Sequence, residues 1–210
     1  LSKLRPAYFA PIIGLLRGLT DPVVGLSMGQ TAENIAPRFN ISREQMDAFA
    51  LESHRRLAKA QDEGLLNEIE TLYDTRGNAY EHDDGLRRDG DLAKLAKLKP
   101  VFDRHFGNVT AANSAQITDG AALLILASEE AVDKYQLPVL GRIIDSQWAG
   151  LEPAQMGLGP AHAMAPIMRR RGLTIGDIDY WEINEAFAAQ VLACLAAWND
   201  DDYCRTELGL

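Results

Sequence analysis

The feature that most constrains the fold is a run of seven consecutive apolar residues at positions 121–127. A continuous apolar run of this length, unlike an alternating one, is typical of a β-strand that is buried on both faces. Two shorter segments, residues 139–144 and 179–183, are also predicted to be strands. Helical segments separate them, so the second half of the chain predicts an α/β fold in which helices cover a mixed or parallel sheet.

Helix signals are clearest after residue 41. Ser42 and Gln45 have the spacing of a capping box, and Ile41 can contact Met46 as a hydrophobic staple. Apolar side chains then recur at helical spacing until Gly64, which predicts the end of the helix. Further helices are predicted at residues 31–37, 91–98, 160–172 and 185–198 and after Ser128. Residues 1–27 are predicted to be loop and short turns, and residues 65–107 to hold short strands and turns.

Composition excludes several classes of protein. The chain has 210 residues, with 21 Lys and Arg against 30 Asp and Glu, which gives a net charge of −9. An acidic chain repels phosphate backbones, so we expect no nucleic-acid partner. No stretch reaches the roughly 18 apolar residues of a membrane span, and no signal peptide is recognised. A globule of this size can bury roughly 70% of its unfolded surface, so no disulfide framework is needed.

The two cysteines, Cys194 and Cys204, carry no metal-ligand spacing, so no metal site is expected. Two cysteines favour a reducing compartment, and we expect a cytoplasmic protein. Cys194 lies among Ala and Leu residues and is interpreted as a small core residue rather than a nucleophile. Cys204 lies in an acidic loop, where carboxylates disfavour the thiolate. The four histidines are scattered and are interpreted as surface or structural residues.

Two segments have an unusual composition. Residues 107–120 are rich in small and hydrogen-bonding side chains, which let a ligand approach the backbone. The same composition suits a turn-rich connector. In residues 182–190, Asn184 falls between a predicted strand and a predicted helix, where α/β sheets place ligands. Its carboxamide can donate to an oxyanion or fix a water molecule. It can also be a helix N-cap, and the two roles are compatible.

These two segments occur in order with three others. The three read Ser-Met-Gly-Gln-Thr-Ala-Glu-Asn-Ile-Ala at 27–36, Leu-Lys-Pro-Val-Phe-Asp at 98–103 and Met-Gly-Leu-Gly-Pro at 156–160. Together the five segments resemble the motifs of thiolases, a family of acyl-CoA acyltransferases, over essentially the whole chain. The resemblance is closest to the branch of fatty-acid β-oxidation, although acetyl-CoA acetyltransferases share most of these residues.

The resemblance implies part of a thiolase fold, in which a loop domain covers coenzyme A above a duplicated five-layer α/β core. The loop domain with its connector would occupy residues 1–117. Residues 118–138 would form the last strand and helix of the N-terminal core half, and residues 139–210 the first part of the C-terminal half. The implied reaction is thiolysis of a 3-ketoacyl-CoA, or the reverse Claisen condensation, through an acyl-enzyme on Cys. Coenzyme A would be a cosubstrate, and no cofactor would be bound covalently.

The resemblance also assigns roles near the acyl group. Asn184 would hold the water molecule of one oxyanion hole. Phe187 and Met156 would line the acyl pocket. These three residues come from the motifs at 156–160 and 182–190, so the implied pocket requires the two segments to meet in the fold.

Further assignments concern coenzyme A itself. Met28 and Ser114 would border the pantetheine. Arg87, chosen over Arg88 for its spacing from Pro100, would lie near the adenine, with Phe102 close by. The order Asn-Ser-Ala at 113–115 differs from the commoner Asn-Ala-Ser, which would shift the pantetheine contact by one position.

Other departures concern the chemistry. Ser27 stands where many thiolases have His. Cys194 and Cys204 match neither catalytic cysteine, and the nucleophilic Cys, the His of the Gly-His-Pro motif and the second Cys have no counterpart in the 210 residues. We therefore expect a fragment that is inactive by itself.

The implied partners are acyl-CoA and coenzyme A, further copies in a dimer or tetramer, and a hydratase/dehydrogenase subunit of β-oxidation. A different hypothesis is a non-catalytic module for coenzyme A binding or assembly. A third is that the remainder of the enzyme exists as a separate chain or was lost by proteolysis.

Overall fold

The computed structural model describes residues 14–210, so residues 1–13 of the predicted loop lie outside the described part. The helices are α1 (Gly14–Gly18), α2 (Met28–Arg38), α3 (Arg43–Asp62), α4 (Leu92–Leu95), α5 (Glu129–Tyr135), α6 (Gly159–Arg171), α7 (Ala188–Trp198) and α8 (Asp201–Tyr203). Short 3-10 helices lie at Pro153–Leu158 and Ile175–Asp177, and a π-helical turn at Cys204–Leu208. Strands β1 (Leu72–Tyr73) and β2 (Ala79–Tyr80) pair antiparallel, with Leu72 opposite Tyr80. No helix in this part of the chain is long and apolar enough to cross a membrane.

The predicted capping box before α3 is confirmed. The Ser42 hydroxyl accepts a hydrogen bond from the Gln45 amide at 3.3 Å, and the Gln45 side chain accepts one from the Ser42 amide at 2.7 Å. The helix then runs to Asp62, and Gly64 follows with a φ of +66°, which a residue with a Cβ adopts only under strain. The helix predicted at 31–37 is also present and extends over Met28–Arg38.

Helix α7 begins later than predicted. The sequence indicated a start at Glu185 with Asn184 as a possible N-cap, whereas the N-cap is Phe187 and its side chain makes no capping hydrogen bond. The N-cap interpretation of Asn184 is therefore wrong. The physical reason is that residues 186–188 bond to the backbone of residues 113–115, so the helical turn starts only after this contact.

The packed core is helical. Helix α2 lies between α7 and the turn Pro153–Leu158, while α3 and α6 pack on α7 from other sides. Two clusters of buried residues result: one centred on Ile35, Leu158 and the Ala-rich face of α7, the other on Met46, Val109 and the first turn of α7. The small residues of α7 allow this close approach of helices on several sides.

The three predicted strands are not formed. Residues 121–127, 139–144 and 179–183 have no strand assignment, and the backbone groups of 121–127 and 139–144 make no hydrogen bond to the backbone of another described segment. Their side chains are mostly solvent-exposed, to 88% at Leu123 and 99% at Leu140. The prediction of a strand buried on both faces is therefore wrong for this chain, because no described residues pair with these segments or cover them.

The solvent-accessible surface area gives a measure of how incomplete the burial of this chain is. It measures 16041 Å², whereas a compact monomer of 23.1 kDa exposes only about 9,700 Å². Relative to an unfolded chain, this corresponds to burial of about half of the surface rather than the expected roughly 70%. The predicted degree of burial is therefore too high, and the excess exposure includes the three apolar segments.

Candidate functional site

Segments that are distant in sequence meet at a cavity of about 200 Å³. It lies between the start of α2, the turn Pro153–Leu158 and the residues that lead into α7. Its lining is mainly apolar. Four residues predicted to belong to the site line it: Met28, Met156, Asn184 and Phe187. The other lining residues are Thr31, Ala32, Gly157, Pro160, Ala186 and Gln190.

Met28 reaches the cavity because α2 starts at this residue. Ser27 is the N-cap, and the Gln30 side chain accepts a hydrogen bond from the Ser27 amide at 2.9 Å. The Thr31 hydroxyl then donates to the Met28 carbonyl at 2.7 Å. Ser27, which stands where many thiolases have His, therefore serves the helix start here.

Phe187 is placed by the segment 107–120. An antiparallel bridge joins it to Ser114, and the Ala188 amide donates to the Asn113 carbonyl at 3.0 Å. The small-residue segment thus acts as the connector that the sequence allowed. It also fixes the position of Phe187 in the cavity wall, since residues 113–115 bond to residues 186–188, two positions after Asn184.

A buried polar network fixes this connector. The Asn113 carboxamide donates to the Asp47 carboxylate at 2.9 Å and accepts a bond from the Thr110 amide at 2.8 Å. Asp47 is 3% exposed, and its other oxygen accepts from the Arg43 guanidinium at 2.7 Å. Because each buried polar group has a partner, the network stabilises one position of the connector rather than penalising burial.

Phe102 lies against the same wall. Its ring meets the Phe187 ring edge-on, with centroids 5.8 Å apart and an interplanar angle of 82°. The ring also covers Gly29, where a Cβ atom would lie 2.3 Å from ring carbons, so a side chain at position 29 would displace it. Phe102 thus packs against the part of the cavity wall that Phe187 forms.

Ser114 borders the site without lining the cavity. Its hydroxyl donates to the Thr110 carbonyl at 2.7 Å, which turns the side chain back onto its own loop. The pantetheine contact assigned to Ser114, or to a position shifted by one residue from it, stays a prediction.

Arg87 lies in a second cavity of about 410 Å³ on the side of α3. Its guanidinium donates only to the backbone carbonyls of Asp84 and Leu86, at 3.1 and 3.4 Å, and pairs with no carboxylate in the described part of the chain. Arg88, by contrast, forms an ion pair with Asp62 at 2.9 Å. Cationic or titratable basic side chains dominate the lining: His54, Arg55, Lys59, Arg87 and Arg88, with Asp62 and Glu63. The structure does not bring Arg87 and Phe102 to one cavity.

Neither cysteine has the lowered pKa that would favour a nucleophilic thiolate. Cys194 is fully buried, its thiol donates to the Gly157 carbonyl at 3.3 Å, and burial raises its pKa. The pKa of Cys204 is raised first by burial and then by the carboxylates of Asp201 and Asp200. The expectation of a buried core residue at Cys194 is confirmed, and so is the disfavoured thiolate of Cys204, but Cys204 lies in a π-helical turn after α8 rather than in a loop. Neither sulfur has a His partner among residues 14–210.

Two residues at the site were missed by sequence reasoning. Gln190 lines the cavity although only its segment was singled out. Asp47 anchors the connector by accepting the hydrogen bond from Asn113, and the sequence carries no signal for this role, because Asp in a helix is mostly exposed and is buried only when it is paired.

Two family models, one for each domain of the same family, together match most of the chain. The family model for the thiolase N-terminal domain matches residues 11–130, and that for the thiolase C-terminal domain matches residues 137–203. The chain belongs to the thiolase family. The resemblance read from the five motifs is thereby confirmed.

Relatives agree with this assignment. The 3-ketoacyl-CoA thiolase of Yersinia pestis (strain Pestoides F) is 42% identical over 211 residues, which cover 99% of this chain and 48% of the relative. The peroxisomal 3-ketoacyl-CoA thiolase of Saccharomyces cerevisiae is 42% identical over 171 residues, 81% of this chain and 41% of the relative. The chain thus spans about half the length of the curated relatives it matches.

Solved structures confirm the predicted partial thiolase fold. Human mitochondrial 3-ketoacyl-CoA thiolase in complex with CoA superposes with a TM-score of 0.84 at 37% identity, covering 94% of this chain and 52% of that one. The Bacillus anthracis acetyl-CoA acetyltransferase gives a TM-score of 0.81 at 37% identity, covering 94% and 48%.

Proposed function

We propose that this chain supplies one wall of the acyl pocket and part of the coenzyme A site of a thiolase. The enzyme would cleave 3-ketoacyl-CoA with coenzyme A, or condense two acyl-CoA molecules in reverse, by acyl transfer in fatty-acid β-oxidation. The observation that carries the proposal is the meeting of Met28, Met156, Asn184 and Phe187 in one cavity. An apolar cavity with a few polar groups suits an acyl chain with a thioester oxygen.

Asn184 is the best candidate for the polar contact. Its side chain is exposed at the cavity and makes no hydrogen bond to any of residues 14–210. A carboxamide with free donors can hold a water molecule or meet an oxygen on which negative charge develops. We therefore assign Asn184 to the oxyanion-hole water.

The nucleotide end would lie at the basic cavity of Arg87. The loop before Arg87 is tied to the connector, since the Gln116 side chain donates to the Gly85 carbonyl at 3.1 Å. Gln116 follows two residues after Ser114, which bridges to Phe187. A continuous stretch of chain thus links the basic cavity to the acyl cavity, and the unpaired guanidinium is available for the phosphates and adenine of coenzyme A. The relative solved with CoA supports coenzyme A as the cosubstrate.

We propose that the 210 residues do not catalyse alone. The acyl-transfer step needs a thiolate activated by a base, and the two cysteines present are a buried thiol and a thiol with raised pKa. An assay with acetoacetyl-CoA and coenzyme A should therefore give no thiolysis. Turnover near that of an ordinary enzyme would contradict this assignment.

The finer predictions belong to the same proposal. The domain divisions at 117/118 and 138/139, a dimer or tetramer, a hydratase/dehydrogenase partner and a cytoplasmic location remain predictions. The exposed apolar segments 121–127 and 139–144 support association. Light scattering should accordingly give a mass above that of one chain, and a well-behaved monomer would argue against an oligomer.

Calorimetric titration with coenzyme A tests the binding role. We expect the wild-type chain to bind, and Arg87→Ala to weaken binding about tenfold because a charge-assisted contact is lost. Arg56→Ala is the matched control: Arg56 lies on α3, pairs with Glu52 and does not line the cavity. Equal affinities for all three proteins would remove Arg87 from the site, and no binding by the wild type would overturn the proposal.

The role of Asn184 is measured in a complete thiolase that contains this chain. Loss of an oxyanion-hole donor costs about 100- to 1000-fold in kcat, so Asn184→Ala should fall in that range. An effect below tenfold would refute the assignment.

A further inference from the structure

Gln190 is a buried carboxamide in the cavity wall without a role so far. It lies in the first turn of α7, is 7% exposed and lines the acyl cavity. Its stem packs tightly on Gly157: a Cβ atom at position 157 would lie 3.0 Å from the Gln190 Cγ. Packing alone would be served equally by Met or Leu, so the amide group calls for a physical explanation.

The hydrogen-bonding capacity of this amide is largely unused. Its nitrogen meets only the Cys194 sulfur, at 3.9 Å, and sulfur is a weak acceptor. Its oxygen accepts from no residue in the part of the chain that the structure describes. Buried polar groups in native proteins nearly always have a partner, and exceptions point to an ion, a ligand or a water molecule.

The oxygen is not sealed off. Among residues 14–210, the only fully enclosed side-chain polar atom without a partner is the indole nitrogen of Trp198. The Gln190 oxygen therefore keeps access, and the space beside this residue is the acyl cavity. Asn184 lines the same cavity with an equally unpartnered carboxamide.

We propose that Gln190 and Asn184 hold one water molecule between them, and that this water donates to the thioester carbonyl oxygen of a bound acyl-CoA. The water accepts from the Asn184 amide, donates one proton to the Gln190 oxygen and donates the other to the thioester. Three partners are the usual number for a buried water. The inference rests on the proposed function of the cavity and adds Gln190 as a positioning residue for the oxyanion-hole water.

The test compares acetyl-CoA with coenzyme A by calorimetry, because the two differ by the group that the water contacts. Gln190→Met keeps the length of the side chain and removes the amide. We expect it to weaken acetyl-CoA binding about fivefold, the loss of one neutral hydrogen bond, and to leave coenzyme A binding unchanged. Gln190→Glu keeps an acceptor oxygen and should retain acetyl-CoA binding, which separates loss of the contact from loss of packing.

A double-mutant cycle tests whether the water is shared. Asn184→Ala should weaken acetyl-CoA binding by a similar factor, and the double variant should lose no more than the worse single variant, because one water serves both. If the affinity losses of the two single variants multiply in the double variant, the two residues do not share one water molecule. Unchanged acetyl-CoA affinity in Gln190→Met would overturn the inference alone. A wild-type chain that binds no coenzyme A would overturn the proposed function and the inference with it.

Discussion

Two regions of this molecule differ sharply in how far their apolar side chains are buried. The first, α2, α3 and α7 with the turn Pro153–Leu158, buries apolar side chains in two clusters and contains the buried hydrogen bond between Asn113 and Asp47. The second, residues 118–151 around α5, leaves Leu, Ile and Val side chains in solvent, and α5 has no buried residue. The first region contains the cavity lined by Met28, Met156, Asn184 and Phe187. The candidate site therefore lies in the well-packed region of the molecule.

The difference teaches that backbone path and burial are separate properties. The superposition on human mitochondrial 3-ketoacyl-CoA thiolase covers 94% of the chain, more than could be reached without the three unpaired apolar segments. Part of these segments is therefore superposed on the backbone of the relative, although none of them has a hydrogen-bonded neighbouring strand among the described residues. A buried strand is stabilised by the neighbouring strands that pair with it and by the layers that cover its faces. Helices that are capped by their own residues and pack on one another depend less on the rest of the protein.

The largest expected effect concerns the buried pair of the first region. Asp47→Ala leaves the Arg43 guanidinium and the Asn113 amide without their partner, which should cost about 4 kcal/mol of unfolding free energy. Urea unfolding followed by circular dichroism measures it. Asp62→Ala is the control, because its ion pair with Arg88 is exposed and should contribute less than about 1 kcal/mol. Similar losses in both variants would show that Asp47 is not an anchor.

A matched pair of leucines gives the next effect. Leu158 is 1% exposed and Leu140 is 99% exposed. Leu158→Ala creates a cavity between α2, α6 and α7 and should cost about 3 kcal/mol. Leu140→Ala should change the unfolding free energy by less than about 0.5 kcal/mol. A large loss at Leu140 would mean that a second copy covers this side chain in solution, which dilution during the measurement would reveal.

Sequence reasoning succeeded where the signal was local. The predicted capping box of Ser42 acts within three residues, and the buried, inert state of Cys194 follows from its Ala-rich helix. It failed where the outcome depended on distant residues. The apolar run at 121–127 indicates that both faces are suited to burial, but not which segments cover them. The start of α7 at Ala188 depended on the bridge from Ser114, 73 positions earlier than Phe187, for which periodicity has no signal.

Site residues divide in the same way. Motif resemblance selected Met28, Met156, Asn184 and Phe187, and the fold brings them together. It placed Phe102 near Arg87, whereas the ring packs on Phe187 instead. Asp47 and Gln190 were missed because a single polar residue in a helix has the same appearance in the sequence whether it faces solvent or a cavity.

Two serine caps offer a smaller comparison of the two regions. Ser42 caps α3, which buries Met46 and Leu51, so Ser42→Ala should lower the unfolding free energy by about 1 kcal/mol. Ser128 makes the equivalent bond to the Ala131 amide at 3.2 Å. Because α5 buries nothing, Ser128→Ala should leave the urea midpoint unchanged. Equal effects at the two serines would indicate that α5 unfolds together with the packed region.

The smallest effect tests the polar contact between the second region and α6, the helix that packs on α7 of the first region. Arg170 and Arg171, in the last turn of α6, donate to the Asp145 carboxylate at 2.6 to 2.8 Å, and these contacts hold the Asp145 pKa well below its ordinary value of 3.8. A lowered pKa means that the folded state favours the carboxylate, so the stabilisation is present above about pH 4 and is lost as the pH falls below 3.8.

Wild type and Asp145→Asn should therefore differ in urea midpoint at pH 7 and converge as the pH falls toward the lowered pKa of Asp145. The difference should be small, since the arginines are well exposed and water screens the charges. A gap that stays constant down to pH 2 would mean that the carboxylate is not its source. Identical midpoints at pH 7 would mean that residues 144–147 contribute nothing to the stability of α6, and that the two regions fold independently.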